Sequence, residues 1–460
     1  MIKMDEILKN NKNSLCIQQM DICLKKENKF NNMVYCRYYD DKLYGTFRFY
    51  KPITRLLCII LLLFLTNVSF AQNELKHPHP IAVEDGFSYR SLKKLIDMDS
   101  LYIGSKYESS YHDMLSILYS RVGRYKEAMR HAEKGHLFRN TMNSAKYYKN
   151  VIPVPLSQLM DSIIENNRVI MFNEMHFNPR HRAFVVSWLE KCYDNGYRYL
   201  AAETLSAKDT LLNERRTILL GTSGFYSDEP VFGDLLRTAQ NIGYDLVPYE
   251  RTDRNKERER AQAENLIKNI LEKDSDAKFI LLGGMGHISD MEGWSFMGCY
   301  FREESGIDPF TLDCGVMFFG EQYEGMDSLR EAFFTHIDNM QVKEPILVYD
   351  TVKHKYISFS GMDATCCLPR THFIEDNIPD WKMYNGKVLY SINRRFLKKH
   401  GFEEGCVSAF LKTEGTECVP VDQYMYFADE EEFKLALYKG EYILRFDDGK
   451  SYIYKEIKVK

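Results

Sequence analysis

The chain lacks a basic surplus, paired cysteines and a membrane-length apolar run, and each absence removes a class of protein. Lys+Arg 61 against Asp+Glu 65 in 460 residues give a formal charge of −4. A nucleic-acid partner is therefore not expected, because phosphate binding calls for a basic excess on one domain. Gly 26 and Pro 13 are too few for a collagen-like or low-complexity chain. No Cys-x-x-Cys pair occurs among the 11 cysteines, which argues against a zinc–thiolate site. Residues 56–65 form a ten-residue apolar run, short of the roughly 20 residues a spanning helix needs. What is present is 45% hydrophobic and 13% aromatic residues, enough to bury a core and to exclude disorder. The length suggests about two or three domains.

The apolar run has the surroundings of a signal peptide. Lys51 and Arg55 precede it, and Ser69-Phe70-Ala71 follows with small residues at both positions a signal peptidase reads. The expectation is export to the periplasmic or extracellular side, with no membrane span left after cleavage; an uncleaved anchor is the alternative. Residues 1–50, rich in Lys and Asn, read as an over-extended or disordered start, with Met33 a second candidate initiator. Residues 1–71 hold 11 of the Lys+Arg and 6 of the Asp+Glu, leaving 50 against 59 and a charge of −9. Seven cysteines remain: Cys192, Cys299, Cys314, Cys366, Cys367, Cys406 and Cys418. An odd number in an exported protein implies a free thiol or an intermolecular bond. Cys406 and Cys418 are placed to close a local loop.

Three regions follow. Residues 72–150 read as a helical lead-in, where Tyr111 to Ala128 resembles one helix-turn-helix unit of a tetratricopeptide repeat, with Gly123 at the turn. One unit cannot build a solenoid, which needs about three. Residues 151–350 alternate short apolar runs with helical stretches, the pattern of an α/β domain with a mostly parallel sheet and flanking helices. Its strands are read at 168–172, 197–202, 244–249 and 278–282, and Asn178-Pro179 opens the helix after the first. Residues 351–460 read as a small antiparallel β module, with Asp448-Gly449 as a hairpin turn.

In a parallel sheet the ligand site lies beyond the carboxyl ends of the strands. Each predicted strand runs into ionisable groups there: Glu174 and His176, then Glu203, then Glu250, then Gly283-Gly284-Met285-Gly286-His287. Glu174 and His176, two apart, face one side of an extended backbone. Glu203 closes a buried strand, where an unpaired carboxylate would be costly. The glycines before His287 let backbone approach a ligand. Glu250 begins a charged stretch, which favours a solvated loop over a site residue. His181 and Arg182 stand in the first turn of a helix, where anions bind, or simply on the surface. Arg258, Gln262 and Asn265 share one helix face.

The segment Asn173-Glu174-Met175-His176-Phe177-Asn178-Pro179-Arg180-His181 resembles the first motif of the ChaN-like haem-binding lipoproteins, and Leu281 to His287 resembles their later glycine loop ending in histidine. Arg258 to Asn265 is similar to a motif of the erythromycin esterases, placed with them in the Tiki superfamily. The resemblance covers about residues 165–320 and departs from the esterase pattern at Asn173, Gln262 and Gly284.

Strand-end clustering and resemblance together imply an exported hydrolase acting on an ester or amide bond of a small-molecule or peptide ligand. His176 or His287 would be the base, Glu174 and Glu203 would orient imidazoles, and Arg258 would meet oxyanion charge. Glu174, His176 and His287 are the candidate ligands for a divalent metal. The rival reading implied by the resemblance is a haem or anionic-cofactor binding protein using His181, Arg182 and Glu250. A third is a non-catalytic envelope interaction protein working through the lead-in and the β module.

Overall fold

A strand buried on both faces needs apolar side chains in both of its alternating directions, and the α/β region supplies them. The computed structural model describes residues 21–23, 35–37, 75–135 except 87, 150–315 except 285, 339, and 343–460 except 359, 360, 376 and 377. The expected signal peptide, Met33 and Met285 lie outside the described residues. Within Met1–Leu75, a unit by itself, Asp21–Cys23 pairs antiparallel with Tyr35–Arg37.

The unit Lys76–Lys460 opens with helices α1 (Pro78–Glu84), α2 (Tyr89–Asp97), α3 (Glu108–Arg121) and α4 (Tyr125–Gly135). The α3–α4 turn uses Gly123 at φ 72°, and a Cβ there would also strike the Gln423 carbonyl oxygen. The lead-in is not free-standing. Met425 donates its N–H to the Val122 carbonyl at 2.8 Å, Arg124 donates to the Met425 carbonyl at 2.7 Å and pairs with Glu430 at 2.7 Å. One helical hairpin, too small to bury a core alone, thus packs on the C-terminal module.

The large sheet is built from β1 (Val151–Pro155), β2 (Val169–Glu174), β3 (Tyr197–Ala202), β4 (Asp245–Val247), β5 (Lys278–Gly284), β6 (Phe310–Asp313), β7 (Ile346–Asp350), β8 (Lys355–Tyr356) and β9 (Ala364–Cys367). Its order is β8-β7-β9-β6-β2-β5-β3-β4, with β1 also on β7. The stretch β9-β6-β2-β5-β3-β4 is parallel, and the β7, β8 and β1 ladders are antiparallel. The sheet is open, not closed into a barrel. β8 and β9 belong to this sheet, so the division read at residue 350 falls inside it. Both strands are too short to carry a periodicity that assigns them.

Helices cover both faces: α5 (Met160–Asn166), α6 (Arg180–Asp194), α7 (Pro230–Ile242), α8 (Arg258–Leu266) and α9 (Met297–Ser305). Ile170, Phe172, Leu200, Ala202, Ile280 and Leu282 share a core with Phe184 and Trp188 of α6 and Phe232 and Leu235 of α7. Their strand neighbours Val169, Met171, Ala201, Phe279 and Leu281 share another with Ala263 and Leu266 of α8 and Met297 and Phe301 of α9. The connection leaving β2 therefore runs over one face, and that leaving the adjacent β5 over the other. This divergence is a topological switch point, where such sheets open a crevice at their carboxyl ends.

The C-terminal part holds a four-stranded antiparallel sheet ordered Asp422–Tyr426, Gly405–Leu411, Gly440–Asp447, Tyr452–Val459, and a pair joining Val388–Asn393 to Glu432–Leu437. Gly449 makes the expected hairpin turn at φ 87°. The seven cysteines are all free and buried, Cys406 and Cys418 included. Among the described residues no helix is long and apolar enough to cross a membrane.

Candidate functional site

The switch point gathers two ion-pair networks, one from each face of the sheet. On the α6–α7 face, Glu174 ends β2 with 1% of its surface exposed. Arg182 clamps it through two hydrogen bonds, Nε to Oε2 at 2.6 Å and Nη2 to Oε1 at 2.9 Å. The same guanidinium donates to Glu229 at 2.8 Å and to the His176 carbonyl at 3.0 Å. Glu229 caps α7 by accepting from the backbone N–H groups of Val231 and Phe232. Burial alone would raise the Glu174 pKa, but Arg182 and the His176 bond outweigh it and hold the carboxyl at about 2. It is an anion at any physiological pH.

That fixed charge orients the His176 ring. Its Nδ1 lies 2.9 Å from Glu174 Oε1, and a carboxylate only accepts, so Nδ1 carries a proton and Nε2 is the nitrogen left with the lone pair in the neutral ring. One face of the ring stacks on Tyr226, with centroids 4.0 Å apart. Nε2 faces the end of β5. A Cβ on Gly284 would collide with His176 Cε1 and come within 2.8 Å of both His176 Nε2 and Glu203 Oε2. Glycine is required here by close approach. Gly284→Ala is expected to cost about 1–3 kcal/mol by overpacking and to displace the imidazole, read as a lower unfolding midpoint together with weaker protection of the His176 ring proton.

On the α8–α9 face, Glu203 accepts from the Gly284 N–H at 2.6 Å and from Arg258 at 2.8 Å. Arg258 also binds Glu250 at 2.6 Å, and Gln262 reaches Glu250 at 3.1 Å. Asn265, one turn on, donates to the Tyr249 and Glu250 carbonyls. The polar face of α8 is thus built around the end of β4, and Glu250 belongs to the cluster rather than to a solvated loop. Burial opposes ionisation of Glu250, yet Arg258 lowers its pKa. His287 accepts at Nε2 from Arg258 Nη1 at 3.0 Å and donates from Nδ1 to Glu259 at 2.8 Å. Burial works to lower the His287 pKa, but Glu259 and Glu203 raise it.

His181 and Arg182 are not on the surface. Both are buried. His181 Nδ1 accepts from the Met175 N–H at 3.1 Å and Nε2 lies 3.0 Å from Asn178, so its ring fastens the β2–α6 turn. Burial pushes its pKa to about 3. Asn178 accepts from the Arg180 N–H at 3.3 Å, but the helix begins at Arg180 with Pro179 as its cap, one residue later than expected.

These side chains do not fit the groups the resemblance implies. Both oxygens of Glu174 accept from Arg182, and both nitrogens of His287 are engaged, so Glu174, His176 and His287 do not converge as metal ligands. Among the described residues no three His, Cys, Asp or Glu side chains form such a group. As a haem ligand, His181 has no uncommitted nitrogen.

Four further contributors escaped the sequence. Thr204, after Glu203, has φ 64°, a costly conformation for a β-branched residue. Its carbonyl and hydroxyl hold the N–H groups of Phe225 and Tyr226, so the strain turns Tyr226 towards His176. Arg121 of the lead-in donates to the Phe225 carbonyl at 2.6 Å. Asp313 ends β6 and accepts from Asn173 at 2.9 Å, while Asn173 accepts from the Gly286 N–H. The strand-end rule that selected Glu174 applies equally to Asp313. Glu259 bridges His287 to the Met297 N–H.

No protein-family model, curated protein or solved structure matches the chain.

Proposed function

We propose that the switch-point cluster is a hydrolytic centre with His176 as general base. The carrying observation is the Glu174–His176 hydrogen bond, with Glu174 locked as an anion by Arg182, since this turns Nε2, the basic nitrogen of the neutral ring, towards the end of β5, where Glu203 also lies. A water donating one hydrogen to each would be oriented for attack. His176 Nε2 takes the proton as the water oxygen bonds to a carbonyl carbon. The Tyr226 hydroxyl is a donor for the resulting oxyanion: burial, with Glu203 and Glu174, raises its pKa and keeps it protonated. Collapse expels the alcohol or amine, which takes the proton back from His176. The arrangement is the base-and-orienting-carboxylate logic of acyl-transfer enzymes, with water in place of a side-chain nucleophile.

Arg258 is engaged by Glu203, Glu250 and His287, which suits it to holding Glu203 in place better than to meeting oxyanion charge. His287, with Nε2 occupied, positions Arg258. His287→Gln is therefore expected to lower kcat only about tenfold, measured beside a His176 variant on the same substrate. The order of the motifs, which resembles the erythromycin esterases, supports the reaction class, and the signal-peptide-like sequence at residues 51–71 supports action outside the cytoplasm.

The test is turnover of a panel of p-nitrophenyl esters and chromogenic peptides by the purified chain. Hydrolysis lost in His176→Ala supports the reading. Absence of turnover across the panel, or full activity in that variant, overturns it.

A further inference from the structure

The carboxyl ends of β6 and β9 bring two thiols together. The strands run parallel, with Leu312 opposite Ala364 and Asp313 opposite Thr365. One step further, the same register sets Cys314 opposite Cys366. Core membership agrees, since Leu312, Cys314, Ala364 and Cys366 all belong to the core shared with α6 and α7. Side chains alternate along a strand, so the next residue, Cys367, takes the other face of the sheet. Cys314 and Cys366 are both buried, and their side chains are within hydrogen-bonding reach of each other.

A buried cysteine ordinarily packs as a small apolar side chain with a weak S–H donor, and four of the others fit that description. Cys299 donates to the Glu303 carboxylate at 3.4 Å and Cys418 to the Glu414 carbonyl at 3.3 Å. Cys406 faces Met425 and Asp447 across its two ladders, and Cys192 lies beside Lys278 at the amino ends of the strands. Cys314 and Cys366 differ in facing another thiol. Neighbouring strands lie about 4.7–4.9 Å apart, inside the roughly 4.4–6.8 Å between Cα atoms that a disulfide spans. Cys314 also stands one residue beyond β6, outside the ladder, where its backbone is free to adjust to a bond.

We propose that Cys314 and Cys366 are a redox pair that closes into a disulfide when the chain folds in contact with a small-molecule or protein disulfide, clamping β9 to β6. Burial and the Cys366 thiol push the Cys314 pKa well above its ordinary value, so in the folded chain the thiol is inert and exchange takes place before the core closes. One cysteine thiolate attacks the oxidant's disulfide and releases one of its sulfurs as a thiol. The second cysteine thiolate then attacks the mixed disulfide and releases the other. Two cysteine thiols are oxidised, one disulfide is reduced to two thiols, and both protons pass to the released thiols. The bond acts next to the candidate site, because Asp313, beside Cys314, accepts from Asn173.

The experiment unfolds the full chain in urea with dithiothreitol and refolds it in a mixture of oxidised and reduced glutathione. Free thiols are then blocked with iodoacetamide in urea, and the chain is digested with trypsin without reduction. Expected is a joined pair of peptides, 303–330 with 356–370, whose fragmentation places the link on Cys366. The pair should persist in Cys367→Ser and vanish in both Cys314→Ser and Cys366→Ser. The oxidised chain should also unfold at higher urea than the chain refolded in dithiothreitol, because the bond restricts the unfolded state, and Cys314→Ser should show no such difference. Recovery of Cys314 and Cys366 as separately alkylated peptides, a link from Cys314 to Cys367 or to any other cysteine, or a midpoint no higher after oxidation would each overturn the proposal. None of these readouts involves turnover, so the outcome is independent of the hydrolytic centre.

Discussion

His176→Ala is expected to lower kcat by roughly 100- to 10 000-fold, the range lost with a positioned general base, while circular dichroism and the unfolding midpoint stay close to those of the parent. The imidazole is part of the rim, not of either hydrophobic core, so its removal leaves the packing of α6 and α7 in place. The loss should fall on kcat more than on KM, because the proton moves only as the transition state forms. Glu174→Gln should lose a large part of the same activity. An amide cannot hold His176 with the proton on Nδ1 through an equally strong bond, so the fraction of imidazole with its lone pair at Nε2 falls. A double variant no slower than His176→Ala alone would show that Glu174 acts through the imidazole. If Glu174→Gln left kcat unchanged, the orienting role would be wrong.

Arg182→Met is expected to destabilise the fold by about 3–5 kcal/mol, the cost of breaking a buried ion pair from one side. The guanidinium is 1% exposed and bridges Glu174 and Glu229, both also about 1% exposed. Removing it strands two carboxylates beside the sheet, and the Glu229 cap of α7 then carries an uncompensated charge. The effect should depend on pH in a defined direction. Glu174 sits at about 2 in the folded chain against an ordinary value of 4.5, so its stabilising contribution is complete above pH 4.5 and is lost as pH falls from there towards 2. The stability gap between parent and Arg182→Met should therefore narrow on acidification across that window, measured as the difference in urea midpoint. A gap constant from pH 7 to pH 3 would mean that the charge pairing is not its origin.

Much of this architecture is legible because it follows from local rules. Phe184, Trp188 and Cys192 recur at helical spacing and do pack inward. The Asp448-Gly449 hairpin and the Gly123 turn lie where residue chemistry puts them, since each needs a backbone conformation that glycine adopts without strain. Glu174 and Glu203 were readable as strand-end carboxylates. Their partners were not. Arg182 reads as an anion-binding residue of a first helical turn or as a surface residue, because nothing eight positions away announces that its guanidinium will close on Glu174. Tyr226 has no signal at all: it reaches His176 only because Thr204 is held at a positive φ, and that depends on the loop from β3 to α7 folding back under Arg121. Glu229-Pro230 carries a helix-start signature that marks a cap, but a cap that also binds Arg182 looks the same in sequence.

What the sequence by itself determined is the α/β class, the helical hairpin, the antiparallel C-terminal strands and the strand ends at which chemistry could gather, all properties of periodicity and of single residues. Only the tertiary structure decided which of those ends meet. β5 inserts between β2 and β3, which brings Gly284 from more than a hundred positions away against His176, and from 81 positions away against Glu203. Strand order is set by how two helical layers bury their apolar faces on opposite sides of one sheet, a cooperative packing choice that no local pattern encodes. The same choice selects which nitrogen of His176 holds a proton towards Glu174, because a buried Arg182 fixes the charge of the carboxylate beside it.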